Sequence, residues 1–215
     1  MRKLAPGLAA VALFISGAAS ATDFSLGGRI GLPGIGIEAA TRFSDHLGLR
    51  ASLTGLQYSF DFTYDDVDYD VESSVTVGSL LLDVHPMGGK FRITLGASSY
   101  NGQYDISAAP SAGFLYSVGN NSYTAGQIGT LNGNVEYRKT APYLGVGWDF
   151  MARKKSGFGV TVDAGVYFIG KPNDVTLTAS GGGVSAADLA QERENIKDDA
   201  LVFDLAVGAG IYYRF

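Results

Sequence analysis

The chain has 215 residues and a formal net charge of −5. Only 17% of residues are charged, against about a quarter in ordinary soluble domains, while Gly reaches 30 residues and Tyr and Phe 12 each. There are no cysteines, so disulfide frameworks, zinc–thiolate sites and thiol nucleophiles are excluded, and the mean hydropathy of +0.12 is too high for a disordered polar chain.

Residues 1–21, MRKLAPGLAAVALFISGAASA, read as a cleaved secretory signal. Arg2 and Lys3 precede a short apolar run from Leu4 to Ile15, and Ala19-Ser20-Ala21 supplies the small residues a signal peptidase requires. The alternative, an N-terminal anchor helix, is disfavoured because the run is shorter than a bilayer span. Cleavage near Ala21 leaves 22–215 as the exported domain, with 14 basic against 21 acidic residues and a net charge of −7. That balance argues against nucleic acid as a partner.

From Asp23 onward the pattern alternates with a period of two. In 143–150, Leu144, Val146, Trp148 and Phe150 share one face, while Tyr143, Gly145, Gly147 and Asp149 share the other. The same holds for 158–168 and 201–215, so these are strands with one apolar face. The second face is rich in glycine and carries scattered ions. Such a face suits the narrow interior of a small barrel, with the apolar face turned to lipid; a soluble sandwich is the alternative.

Eight strands are predicted over 23–30, 34–43, 47–62, 71–85, 90–106, 135–151, 157–171 and 200–215. Short connections at 44–46, 86–89 and 152–156 alternate with long ones at 63–70, 107–134 and 172–199. That is the pattern of periplasmic turns and extracellular loops. The turn at 31–34 is either a hairpin or a bulge within one long strand. Loop 107–134 carries no charge and is expected to be mobile or to fold over the mouth. In the last loop, Ser185 with Asp188 at the third helical position predicts a helix of one to three turns.

The fold class is therefore all-β: an eight-stranded antiparallel transmembrane up-and-down β-barrel, with a short helix in the last extracellular loop. Parity assigns ten charges to the lumen: Arg29, Glu38, Arg42, Arg50, Asp83, Arg92, Asp149, Asp163, Asp204 and Arg214. An arginine facing lipid at the bilayer centre would cost about 2–4 kcal/mol, so inward placement is favoured. This network is either a polar conduit or a salt-bridged plug. An eight-stranded barrel is just wide enough for side chains to fill. Inward glycines either leave room or accommodate neighbouring tyrosines.

Asp65, Asp66, Asp68 and Asp70 form an expected acidic extracellular mouth that would concentrate cationic solutes. The alternative is a solvated surface holding divalent ions beside lipopolysaccharide. The stretch DDVDYD lacks the glycine and the distal glutamate of a calcium loop, so no metal site is assigned. No cofactor is implied. Catalysis is disfavoured because the only histidines, His46 and His85, fall at short connections, away from the outer rim.

The segments KTAPYLGVGW (139–148), DAGVYFIGKPNDVTLT (163–178) and ADLAQERENIKDD (187–199), followed by a closing aromatic strand, resemble the ornithine-uptake porin family of the CarO type. RIGLPGIGIEAA (29–40), GLRASLTGLQYSF (48–60) and LLLDVHP (80–86) extend the similarity over nearly all of the exported chain. The resemblance implies a barrel in a Gram-negative outer membrane. It also implies passage of small basic amino acids such as ornithine, and a role in carbapenem entry. It carries over no substrate-binding residues. Tyr213 and Phe215 resemble the terminal aromatic signal read by outer-membrane assembly machinery. The expected partners are thus outer-membrane lipid and lipopolysaccharide, that machinery, and small polar or cationic solutes. The rival function is a structural or adhesive barrel with a salt-bridged, closed interior.

Overall fold

The structure is a computed structural model, which describes residues 23–64, 67–150 and 156–215. The signal segment 1–21, Asp65, Asp66 and most of the connection 152–156 lie outside the described residues.

The described residues form eleven strands: β1 (Asp23–Leu32), β2 (Gly34–Arg42), β3 (Leu47–Tyr64), β4 (Val67–Val84), β5 (Phe91–Pro110), β6 (Leu115–Val118), β7 (Asn121–Thr124), β8 (Leu131–Asp149), β9 (Gly157–Tyr167), β10 (Asp174–Ala179) and β11 (Asp204–Arg214). Helices α1 (Ala125–Ile128) and α2 (Ala186–Asp199) lie in the long connections. Eight of the strands close a ring in the order β1-β2-β3-β4-β5-β8-β9-β11, and β11 returns antiparallel to β1. Closure leaves the lower ring without an edge, which is why alternating strands are stable in lipid. No described helix is long and apolar enough to cross a membrane; the crossing is made by strands.

The turn at 31–34 is a hairpin, because β1 and β2 pair through Gly31↔Gly34. Of the expected long loop at 63–70, all the described residues are strand. β3 and β4 pair without interruption up to Tyr64↔Val67, so Val67–Asp70 belong to β4. Loop 107–134 is also structured: it contains the end of β5, the hairpin β6–β7, and α1. Helix α2 has 14 residues, longer than expected, and Ser185 caps it by accepting the Asp188 backbone N–H.

The ring is uneven in height. β3 and β4 have 18 residues each, β5 has 20 and β8 has 19, whereas β1, β2, β9 and β11 have 9 to 11. About 9–11 residues suffice to cross a bilayer, so one side of the wall rises well beyond it. The pairing of β2 with β3 begins at Ile35↔Gly55, so β3 rises above β2 from Leu56 onward. β8 pairs with β9 over Tyr143–Asp149 and with β10 over Leu131–Glu136.

In the lower barrel the outward face is apolar and exposed, as at Leu80, Leu82, Leu95, Leu144, Val146, Trp148 and Val160. The alternation continues above that band, but the polarity inverts. Asp61, Asp68, Asp70, Glu72 and Asp105 turn outward, while Val67, Tyr69, Val71 and Ile106 turn inward. Where lipid gives way to water, the outer face becomes polar; on the inner face Val67 is buried, while Phe60 and Phe62, opposite Val71 and Tyr69, stay exposed.

Candidate functional site in the barrel lumen

At mid-height the lumen is filled by ions. Arg50 of β3 reaches Glu38 of β2, Asp83 of β4 and Asp163 of β9 at 3.2, 3.0 and 3.3 Å. Arg92 of β5 donates to Asp163 at 2.7 Å and lies 3.8 Å from Asp83. Arg29 pairs with Glu38 at 2.9 Å, and the Thr94 hydroxyl donates to Asp83 at 2.6 Å. Three guanidiniums and three carboxylates thus neutralise one another across six strands. Desolvated charges demand such full pairing; Arg50 is 1% exposed and Thr94 0%.

The remaining four charges separate into other settings. Asp149 accepts from Arg214 at 3.0 Å and from the Tyr212 hydroxyl, at the end where the short turns lie. Arg42 donates to the Asp45 carbonyl at 2.7 Å, at the same end. A cavity of about 30 Å³ lies among these groups, room for roughly one water. Asp204 stands apart at the opposite end of the lumen, where the Tyr100 hydroxyl donates to it at 2.7 Å.

Between the ionic layer and Asp204 lies a tyrosine layer that parity of β5, β8 and β9 makes inward. Tyr143 and Tyr167 approach at 4.9 Å between ring centroids, and Tyr100 contacts Tyr167 and Tyr137 at 6.1 and 6.4 Å. Val75, Val77, Leu81, Ile169 and Ala206 pack against these rings. Tyr100 is 0% exposed. The inward glycines are therefore not open space, as the Tyr143 hydroxyl lies where side chains on Gly145 and Gly165 would project.

The acidic mouth expected from Asp65, Asp66, Asp68 and Asp70 is corrected in its placement. Asp68 and Asp70 share the outward parity of Leu80 and Leu82 on β4, so they point away from the lumen axis. Asp70 stands opposite Asp61, and the Thr63 hydroxyl donates to Asp68 at 2.7 Å. Asp65 and Asp66 lie outside the described residues. Among the described residues no group of three or more His, Asp or Glu is placed to hold a metal ion.

Above the tyrosines, the two long connections join into a headpiece. Val118, Tyr123 and Ile128 form a small core with Leu131, Val184 and Leu189. Asp188 of α2 accepts from the Asn120 backbone N–H, the Asn121 amide and the Tyr123 and Ser185 hydroxyls. Glu192 accepts from the Gly119 N–H at 2.9 Å. These hydrogen bonds hold the Asp188 carboxyl well below the ordinary carboxylate range. Between α2, the chain leading into β11 and the inner wall is a vestibule of about 490 Å³. Its lining residues lie far apart in sequence, and no motif announces it.

No family model matches the chain, and no curated relative matches it. Among solved structures, it is similar to CarO2 of Acinetobacter baumannii, with a TM-score of 0.67, 21% identity, and coverage of 90% of this chain and 98% of that one. It is also similar to CarO of the same organism, with a TM-score of 0.64, 20% identity, and coverage of 89% and 97%. The chain thus has the fold of CarO-type outer-membrane β-barrels.

Proposed function

We propose that this chain is an outer-membrane barrel with a closed, salt-bridged interior and an extracellular headpiece, serving a structural or adhesive role rather than free diffusion. Its apolar band is suited to the lipid of a Gram-negative outer membrane, reached after cleavage of the signal at 1–21. The observation that carries this reading is the burial of Arg50 at 1% and of Tyr100 at 0%. A side chain bordering a water-filled passage presents area to that water. Here two successive layers, one ionic and one aromatic, present almost none.

A second reading is a porin for small basic amino acids such as ornithine, and it draws support from the fold shared with CarO proteins. For such a solute to pass, the Arg50–Asp163 contacts and the Tyr143–Tyr167 contact must both separate. The test is uptake of ornithine, lysine, arginine and glutamate into liposomes containing the exported chain. The closed reading expects rates indistinguishable from empty liposomes for all four. Faster entry of the three basic amino acids than of glutamate would overturn it in favour of the porin.

A further inference from the structure

The vestibule has a chemistry that a closed barrel does not require. Glu192, Asp199 and Asp204 line it, and among the described residues no lysine, arginine or histidine does. Asp199 is the last residue of α2 and Ala200 its C-cap, so the helix brings its partly negative C-terminus to the same space. Asp204 is held in place by the Tyr100 hydroxyl at its Oδ2, and Oδ1 takes no hydrogen bond among the described residues. Tyr104, Tyr137 and Phe203 add three aromatic rings, and Ile106 and Ile169 add aliphatic wall. Aromatic faces beside carboxylates, with no competing cation, attract an organic cation. The volume is within the roughly 300–1,000 Å³ common for small-molecule sites.

We propose that the vestibule binds a small organic monocation with an apolar body, an aryl- or alkylammonium, and discriminates against anions and amino acids. A zwitterion would bring its own carboxylate among three others. The side-chain donors near it are the Asn195 amide, which already donates to Glu192, and tyrosine hydroxyls, of which Tyr100 and Tyr137 use theirs on Asp204 and on the Leu201 carbonyl. An apolar monocation meets no such conflict, and its hydrocarbon part covers Ile106, Ile169 and Phe203.

The test is calorimetric titration of the exported chain in lipid nanodiscs, with empty nanodiscs as background and benzyltrimethylammonium as the probe. Saturable one-site binding is expected. Neopentylbenzene, the uncharged isostere, together with benzoate and lysine, should bind at least about tenfold more weakly. Asp204→Asn keeps the acceptor for Tyr100 and should weaken the probe about tenfold; Asp68→Asn, on the outer face, should leave it unchanged. Asp199→Asn provides a second variant if Asp204→Asn fails to fold. Absence of saturable binding, equal binding of neopentylbenzene, or unchanged affinity in a folded Asp204→Asn or Asp199→Asn protein would overturn the proposal. The readout is binding, not flux. Its failure therefore leaves the closed-lumen reading standing, and flux through the barrel leaves this proposal standing.

Discussion

Tyr143 occupies the space that a side chain at Gly165 would need: a Cβ built there lies 2.4 Å from the Tyr143 hydroxyl oxygen and 2.7 Å from the Leu144 carbonyl. The second contact is with backbone and cannot be relieved by a rotamer change. Gly165→Ala is therefore expected to overpack the tyrosine layer, costing roughly 1–3 kcal/mol. Gly126→Ala meets nothing within 4 Å and should be neutral or slightly stabilising. Thermal unfolding in detergent, followed by circular dichroism, checks this. Equal midpoints for wild type and Gly165→Ala would mean that the tyrosine layer has slack, and would reopen the case for a passage.

The ionic layer below makes a different prediction. Asp163 serves both Arg50 and Arg92 and is 6% exposed. Asp163→Asn keeps the shape but leaves two buried guanidiniums short of one negative charge. Breaking a buried pair from one side costs about 3–5 kcal/mol. Urea unfolding of the protein in lipid vesicles should show a loss of that size, while the exposed Asp68→Asn should stay within about 0.5 kcal/mol of wild type. A loss near zero would show that the remaining carboxylates compensate.

The headpiece offers a pH test. Because the folded Asp188 carboxyl is depressed, its contribution to docking is fully present above the unfolded value of about 3.9. It is lost only as pH falls through the lower, folded value. Carboxyl-carbon NMR of Asp188 should thus titrate below an unstructured aspartate, together with the Asn120 amide that it accepts. Asp188→Asn should undock α2 at neutral pH and expose 180–200 to protease added outside vesicles. Gly119→Ala should do the same, because Gly119 sits at φ +62 with Asp188 backbone atoms 2.6–3.0 Å from a built Cβ. Protection at pH 7 in both variants would contradict this docking.

The period of two made the barrel legible: Leu144, Val146 and Trp148 against Tyr143, Gly145 and Gly147 already specify one lipid face and one interior face. The Ser185 cap was legible for the same local reason, since an N-cap and its third residue lie within one turn. Two things were not legible. First, alternation does not stop at the membrane surface; only its polarity inverts. Val67–Asp70 looked like an acidic loop because their outward residues meet water instead of lipid. Second, parity sends Arg50 and Asp163 inward but says nothing of their pairing. That pairing joins residues 113 apart in sequence, and depends on barrel stagger and strand register. The vestibule was hidden for a related reason. Tyr104 and Tyr137 meet Asp204 only through barrel closure, and Glu192 and Asp199 join them only through α2, whose docking depends on tertiary contacts at Gly119 and Asn120.

The seam between the first and last strands carries the final prediction. The Phe215 N–H donates to the Phe24 carbonyl at 2.9 Å, and their rings stack at 5.9 Å. Tyr213 packs edge-on to both Phe215 and Phe158, at 5.0 and 5.2 Å, so an aromatic row crosses β9, β11 and β1 on the lipid side. Phe215→Ala keeps the backbone hydrogen bond and removes only the ring contacts. It should cost the folded barrel roughly 0.5–1.5 kcal/mol for the lost aromatic pairs, measured by urea unfolding in vesicles. If Phe215 is also what the assembly machinery reads, the amount of folded protein recovered from outer membranes should fall far more than that stability loss accounts for. A yield that tracks stability alone would reduce Phe215 to a seam residue and remove its role as an assembly signal.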